Sequence, residues 1–207
     1  GLHPLPDPGS HLGIDSFHKS SLLIFIIGSP AGLFTRKGNK ISEKPFSFSD
    51  TIRQSPVKPP MEELLMYAQR KDVGVVGAKL YYPDRTIQHA GIVIGLGAHR
   101  TAGHTHYKQP GQNLGYMGRL CYAQDVSAVT AACLLVKKSL FDKVEGFDES
   151  FTVAFNDVDL CMKFRELGYL NIFTPFVEMY HYESKTRGLE EGEKLRRFER
   201  EVAAFRA

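Results

Sequence analysis

The chain has 207 residues, of which 43% are hydrophobic and 24% are charged, and its formal net charge is +3. This length and composition are typical of a globular protein with one substantial hydrophobic core. The charge is too weakly basic to predict a nucleic-acid partner, and no dense stripe of Lys and Arg with interleaved aromatics is present. No apolar run, Leu22–Ile27 included, approaches the roughly 20 residues that a membrane-spanning helix needs. We therefore expect a cytoplasmic protein that is at most peripheral to the inner face of the membrane.

The composition of the chain changes near residue 60. Eight of the eleven prolines lie within residues 1–60, and apart from Leu22–Ile27 this segment shows no sustained period of 2 or 3.6. Proline fixes φ and removes a backbone donor, so regular structure is disfavoured there. We predict that residues 1–59 are irregular or weakly ordered, and that residues 60–207 form the folded α/β part of the protein.

Residues 60–207 alternate between helical and strand patterns. Apolar residues at i, i+3, i+4 and i+7 predict a helix that follows Pro59–Pro60, and its buried face comprises Met61, Leu64, Leu65 and Ala68. Apolar runs between turn formers predict strands at Val73–Tyr82, Ile87–Gly95, Val126–Lys137, Leu170–Thr174 and Val177–Tyr182. A polar, glycine-rich loop over residues 97–118 separates the second strand from the third.

Caps and apolar stripes predict three further helices. Ser139 is placed to cap a short helix, with Asp142 three residues on as in a capping box. Asn156 is a favourable N-cap and Gly168 a favourable C′ residue for a longer helix. The predicted buried stripes are Leu160, Phe164 and Leu167 in that helix, and Leu195, Phe198, Val202 and Phe205 in a C-terminal helix.

The three cysteines are Cys121, Cys133 and Cys161. No two of them form a CxxC pair, so neither a zinc site nor a disulfide framework is indicated. Each lies in an apolar stretch, and we predict three buried free thiols in a reducing compartment.

Asp157 and Asp159 are the first candidates for chemistry. Both fall in the first turn of the helix predicted to start at Asn156, where free N–H groups and the helix dipole stabilise negative charge. We expect both carboxylates to be ionised at neutral pH, and an ionised carboxylate can accept the proton of an attacking hydroxyl. Acidic residues in a first helical turn are also common structural caps, and spacing alone favours that interpretation.

Histidines supply the second set of candidates. His181 ends a predicted strand, where a neutral imidazole can ligate a divalent metal. A lone histidine is more often a hydrogen-bonded structural residue. His99, His104 and His106 lie in the glycine-rich loop and suggest an alternative metal-binding module, although HxH in a loop is a weak metal signal without further ligands.

Three stretches follow one another along the chain: VTAACLLVKKSLFDKVEGFDESF, NDVDLCMKFRELGY and P-x-x-x-x-YHYES. Together they resemble the family 2 glycosyltransferases, with the bacterial rhamnosyltransferase-like and cell-wall polysaccharide branch as the closest match. The resemblance covers roughly residues 61–200. The family has a GT-A fold, a Rossmann-like α/β domain with a mixed central sheet. The resemblance implies that residues 60–207 are the C-terminal, acceptor-side half of this fold.

The resemblance also implies a reaction and a role for each matching residue. The reaction is an inverting transfer from a nucleoside-diphosphate sugar to a glycan or lipid-linked acceptor. Asp157 is implied as the general base, and Asp159 as a support for the helix start and the neighbouring substrate loop. A divalent metal, Mn²⁺ or Mg²⁺, is implied beside the diphosphate with His181 as a ligand. The residues implied to border the donor sugar are Thr130, Ala131 and Ala132, and those bordering the acceptor are Asp148 and Glu149.

The N-terminal, nucleotide-binding half of the family pattern has no recognisable counterpart in residues 1–59. A complete member carries a D-x-D motif before the helix that starts here at Met61, whereas the single D-x-D of this chain is Asp157–Asp159. We therefore expect a partial GT-A fold that lacks a recognisable N-terminal nucleotide-binding half, encoded by a truncated or rearranged gene. We expect weak donor binding, and we leave open whether the fragment is active or inactive. The alternative function is a non-catalytic glycan-binding or scaffold domain that uses the same groove.

Overall fold

The computed structural model describes residues 23–27, 33–37, 40–42, 52–54, 60–96, 99–151, 154–182 and 193–206, and before residue 61 and at residues 193 and 194 it describes the backbone alone. The helices are α1 (Pro60–Ala68), α2 (Lys138–Lys143), α3 (Asn156–Glu166) and α4 (Glu193–Arg206), with a 3-10 helix at Tyr116–Cys121. The strands are β1 (Leu23–Ile27), β2 (Leu33–Lys37), β3 (Lys40–Ser42), β4 (Ile52–Gln54), β5 (Val73–Tyr81), β6 (Ile87–His89), β7 (Ile92–Ile94), β8 (Ala102–His104), β9 (Gln124–Asp125), β10 (Cys133–Lys137) and β11 (Leu170–His181). Among these residues, no helix combines the length and the apolar character that crossing a membrane requires.

The main sheet is mixed, which confirms the predicted fold class of a partial Rossmann-like α/β protein. Its strands run in the order β3-β2-β1-β10-β5-β11-β4, with β6 beside β5 and β9 beside β11. Strands β5 and β11 are parallel, as are β1 and β10, whereas β10 runs antiparallel to β5. Strands β7 and β8 form a separate antiparallel pair.

The segment before residue 60 contributes four strands, where the sequence predicted one strand-like run. Strand β1 pairs with β10, with Leu23 opposite Cys133, and β4 pairs with β11, with Ile52 opposite His181. The expectation of irregular structure is therefore wrong for these four stretches. A strand of three to five residues has too few positions to show a period, and its backbone partners come from a neighbouring strand. The division of the chain at residue 59 stays a prediction.

The core lies on both faces of the central strand β5, all nine residues of which are buried. Leu64 of α1 packs in one apolar cluster with Val76 of β5, and Phe164 of α3 packs in the other with Val75. A strand covered on both faces reads as a continuous apolar run, which is the pattern that predicted it.

The crossing segment, residues 126–132, passes over one face of β5 before β10 begins. The sequence predicted one strand over Val126–Lys137, but the strand starts at Cys133. The crossing brings Val129 onto Gly77, where an added Cβ would lie 2.5 Å from the Cβ of Val129. Glycine at position 77 thus allows the crossing segment to lie directly on the sheet.

Two other strand predictions are corrected by backbone geometry. The predicted strand Ile87–Gly95 divides into β6 and β7, because Gly91 adopts a φ of 95° that ends the extended run. The two predicted strands after Gly168 form the single strand β11. Its pairing with β5 shifts register between Thr174 and Glu178, and a bulge of this kind accommodates a proline within a strand.

The predicted helix caps are partly wrong. Helix α2 starts at Lys138 without a side-chain cap, so Ser139 lies inside it. Phe155, and not Asn156, is the N-cap of α3, and it adopts a left-handed conformation with a φ of 65°. Gly168 has a φ of 83° just after the same helix, which confirms the predicted C′ position.

Three predicted buried side chains are exposed in the structure. Leu167 and Leu195 face solvent at the ends of their stripes, where a helix turns its outer positions away from the core. Cys121 is an exposed free thiol, whereas Cys133 and Cys161 are buried and free as predicted.

Candidate functional site

The candidate site lies at the edge of the main sheet where the parallel strands β5 and β11 end. Because β10 is antiparallel to β5, its first residue and the crossing segment before it lie at this same edge. His181, at the end of β11, is located there too. The carboxyl ends of parallel strands are the usual ligand-binding edge of an α/β sheet.

Asp157 contacts the crossing segment directly. Its Oδ2 accepts a hydrogen bond from the amide of Ala131 at 3.1 Å, and its Oδ1 accepts one from the amide of Val158 at 2.9 Å. The structure therefore brings Asp157 together with Ala131, a residue of the segment that the resemblance places beside the donor sugar. A carboxylate offers about four acceptor positions, so these two bonds do not exhaust its capacity.

The segment implied to border the donor sugar is a tight turn before β10. Thr130 Oγ1 accepts the amide of Ala132 at 3.3 Å. The methyl groups of Ala131 and Ala132 are buried, one in each of the two core clusters. Small residues are therefore required here by packing, and the turn presents its backbone and Thr130 at the sheet edge.

His89 is a buried residue of the site that the sequence interpretation missed. Its Nε2 accepts the amides of Thr130 at 3.4 Å and Gly91 at 3.3 Å. The ring therefore carries its proton on Nδ1, which lies 2.8 Å from Nδ1 of His104 and donates to it. Burial, together with the neighbouring His104, lowers the pKa of His89 well below its usual value. The sequence signal that could have identified His89 was the polar pair Gln88-His89 inside a strand that was predicted to be apolar.

Asp148 and Asp159 line one open cavity of about 510 Å³ between α3 and α4. Asp148 Oδ1 accepts the amide of Ser150 at 2.8 Å, and the hydrogen bonds from Ser150 lower the pKa of this carboxyl. Asp159 forms an ion pair with Lys163 at 2.8 Å, one helical turn further along. Glu149 is exposed beside this cavity. The structure thus places the two aspartates together, at the start of α3 and the loop before it.

Helix α4 covers the loop that leads into α3. The ring of Phe155 stacks on Phe205, with centroids 4.8 Å apart, and on Phe198 at 6.0 Å. Glu201 Oε2 accepts the amide of Ala154 at 2.7 Å. A left-handed aromatic residue is strained and persists where surrounding contacts hold it. The position of Asp157 therefore depends on the packing of α4.

His181 is oriented by Gln88, which is buried. The imidazole Nδ1 lies 2.8 Å from Gln88 Oε1. Because an amide oxygen accepts, Nδ1 is the donor, and a neutral His181 then has its lone pair on Nε2. This is the orientation in which proteins usually hold a metal-ligating histidine.

The described residues do not supply a complete metal site. Within the part of the chain that the structure describes, no three His, Cys, Asp or Glu side chains lie close enough to hold an ion. His99, His104 and His106 belong to this part, so the alternative metal module is not formed. His181 as a metal ligand stays a prediction.

A second buried polar cluster fastens a loop to the site edge. Tyr81 donates to Glu178 Oε1 at 2.6 Å, and Lys79 Nζ donates to the carbonyl of Gly111 at 3.3 Å. Burial lowers the pKa of Lys79, and the nearby Glu178 carboxylate partly opposes this shift. A smaller cavity of about 210 Å³ lies under the same loop, beside His106 and Arg119.

No protein-family model matches the chain. The chain is 56% identical over 144 residues to the uncharacterized protein y4gI of Sinorhizobium fredii (strain NBRC 101917 / NGR234), which covers 69% of this chain and 16% of that protein. It is 35% identical over 128 residues to the O-antigen biosynthesis protein RfbC of Myxococcus xanthus, which covers 61% of this chain and 10% of that protein.

A third similarity is to the N-acetylglucosaminyl-diphospho-decaprenol L-rhamnosyltransferase of Mycobacterium tuberculosis, at 35% identity over 63 residues, or 30% of this chain and 20% of that enzyme. The chain therefore spans between 10% and 20% of the length of these relatives. The names of the second and third relatives support a glycosyltransferase-like family and a link to polysaccharide biosynthesis.

Proposed function

We propose that the chain is the acceptor-side part of an inverting glycosyltransferase, which moves a sugar from a nucleoside diphosphate to a glycan or lipid-linked acceptor. The supporting observation is the hydrogen bond between Asp157 and the amide of Ala131. It fixes a carboxylate beside the segment that the resemblance assigns to the donor sugar. A base positioned in this way accepts the proton of the acceptor hydroxyl as its oxygen attacks the anomeric carbon.

The other residues take supporting roles in this proposal. The bond from the anomeric carbon to the diphosphate oxygen breaks as the new bond forms, and the diphosphate leaves with the electron pair. Asp148 and Asp159 line the cavity that we assign to the acceptor, and Thr130 faces the donor side. A divalent cation at His181 remains a prediction.

A second candidate function is a non-catalytic glycan-binding domain. The observation that favours it is that both oxygens of Asp157 accept backbone amides, as they do in a purely structural helix start. A domain of this kind uses the cavity between α3 and α4 for binding without transferring sugar.

The two functions are separated by measuring sugar transfer, donor hydrolysis and glycan binding with the same chain. We expect Asp157→Asn to lower transfer by about 100-fold or more, as loss of a general base does, with glycan binding retained. Asp142→Asn is the matched control, since Asp142 is an exposed carboxylate of α2 outside the site. Transfer that persists in Asp157→Asn contradicts the proposed base. Glycan binding by a wild-type chain that transfers no sugar supports the second function.

A further inference from the structure

The loop over residues 105–122 carries an exposed apolar tip. Tyr116 and Met117 are 80% and 81% exposed, and Leu114 beside them is also exposed. Tyr107 and Tyr122 are exposed at the two flanks of the loop. Large apolar side chains grouped in this way on a surface usually mark a contact with another surface.

The loop is compact and is held against the candidate site. Position 115 packs against His106, because a Cβ added at Gly115 would lie 3.0 Å from Nε2 of that residue. The carbonyl of Gly111 accepts a hydrogen bond from Lys79 of β5. The tip is therefore a fixed feature of the edge where β5 and β11 end.

The charged side chains of the loop and of its flanks in the sequence are all basic. From residue 85 to residue 124 the sequence contains no Asp or Glu and four basic side chains, Arg85, Arg100, Lys108 and Arg119. Lys108 lies 5.5 Å above the ring of Tyr107. The flanking carboxylate of Asp84 is bonded to the amide and hydroxyl of Thr86. An apolar tip with basic flanks is complementary to a negatively charged surface.

The shape of the tip favours a flat partner over a small molecule. Small ligands bind in concave sites, and neither cavity described above is lined by Tyr116 or Met117. Tyrosines with Leu and Met among basic residues are the side chains that settle in the headgroup region of a membrane.

We propose that the 105–122 loop docks this chain on an anionic lipid surface. Tyr116 and Met117 enter the headgroup region, and Lys108 and Arg119 contact lipid phosphates. The docking turns the edge that holds Thr130 and Asp157 towards the bilayer. It does not depend on sugar transfer, so the two proposals can fail separately.

Cosedimentation with phospholipid vesicles tests the apolar part. The chain is expected to bind vesicles of phosphatidylglycerol and phosphatidylcholine, and to bind pure phosphatidylcholine much less. The double variant Tyr116→Ser/Met117→Ser is expected to lower the partition coefficient about tenfold or more. The matched control is Met66→Ser/Phe176→Ser, which removes two side chains that are 55% and 51% exposed elsewhere and is expected to bind like the wild type.

Charge reversal tests the electrostatic part. Lys108→Glu is expected to lower partition onto the anionic vesicles about fivefold or more, whereas Lys71→Glu, at an exposed position before β5, leaves it unchanged. The proposal is overturned if the wild-type chain does not bind the anionic vesicles. It is also overturned if the wild-type chain binds the anionic and the pure phosphatidylcholine vesicles equally. Partition onto the anionic vesicles that is undiminished in either loop variant also overturns the proposal. So does a loss of partition in the control variants that equals the loss in the loop variants.

Discussion

His89 and Asp157 accept hydrogen bonds from the backbone amides of two successive residues. His89 Nε2 accepts from Thr130 at 3.4 Å, and Asp157 Oδ2 accepts from Ala131 at 3.1 Å. One side chain approaches from the end of β6 and the other from the start of α3. The peptide between Thr130 and Ala131 is thus held from two sides, so a change in one side chain is expected to alter the geometry of the other.

Removing the carboxylate of Asp157 is expected to destabilise the fold as well as the site. In Asp157→Ala the amides of Ala131 and Val158 lose their acceptor, and an unsatisfied buried donor costs about 1–3 kcal/mol. Asp157→Asn keeps one acceptor oxygen and is expected to cost less. Urea unfolding of both variants measures the difference, with Asp142→Ala as the control. A free energy of unfolding for Asp157→Ala equal to that of the wild type contradicts the structural role.

The neutral state of His89 predicts that stability falls in mild acid. The folded-state pKa lies well below the ordinary value of 6.5, so below pH 6.5 the unfolded chain binds a proton that the folded chain does not. This contribution to stability is complete above pH 6.5 and declines with falling pH, by up to about 1.4 kcal/mol per pH unit.

Unfolding at pH 7.5 and pH 5.5 checks this dependence. His89→Gln keeps an acceptor but does not titrate, so it is expected to reduce the pH dependence. Burial, followed by Arg119 and Lys79, also lowers the pKa of His106, and His106→Gln is therefore a second, additive variant. A pH dependence that is identical in the wild type and in His89→Gln rules out the neutral buried state.

The contact between Gly77 and Val129 predicts a large effect from a single methyl group. Gly77→Ala is expected to destabilise the protein by about 1–3 kcal/mol, since the new Cβ overlaps Val129 and the crossing segment has to move. Gly118→Ala is a useful comparison, because an added Cβ there meets nothing within 4 Å and the strain comes only from a φ of 74°.

A double-mutant cycle identifies the source of the Gly77 effect. Val129→Gly removes the Cβ that the new methyl group meets, so Gly77→Ala is expected to cost less in that background. Equal costs of Gly77→Ala in both backgrounds show that the overlap is not the cause. Thermal unfolding is sufficient for the measurement.

The sequence predicts weak nucleotide binding. Because no D-x-D motif precedes α1 in the sequence, calorimetry with nucleoside diphosphates and Mn²⁺ is expected to show weak or no heat of binding. Tight binding by the wild type, lost in His181→Ala, contradicts this expectation and supports His181 as a ligand.

Local patterns predicted the elements that are long and covered by the core. The apolar run of β5 and the i, i+3, i+4 pattern of α1 were sufficient to predict these two elements, since the burial of each element follows from its own residues. The C′ position of Gly168 was also predicted, because a left-handed residue after a helix favours glycine. Local patterns did not predict the shorter features. Strands β2 to β4 have too few residues to show a period, and the cap of α3 is set by the packing of Phe155 against α4.

For the candidate site, too, some features were predictable from the sequence and others depended on the tertiary structure. The sequence by itself determined which residues are candidates for chemistry, such as the carboxylate of Asp157 in a first helical turn and an imidazole at the end of a strand. Only the tertiary structure decided what they contact. The crossing segment lies on Gly77, so its amides have no strand partner at Thr130 and Ala131 and bind His89 and Asp157 instead. That pairing joins residues 41 and 26 positions apart, and no local pattern specifies contacts over such distances, because they depend on where the whole sheet places its strands.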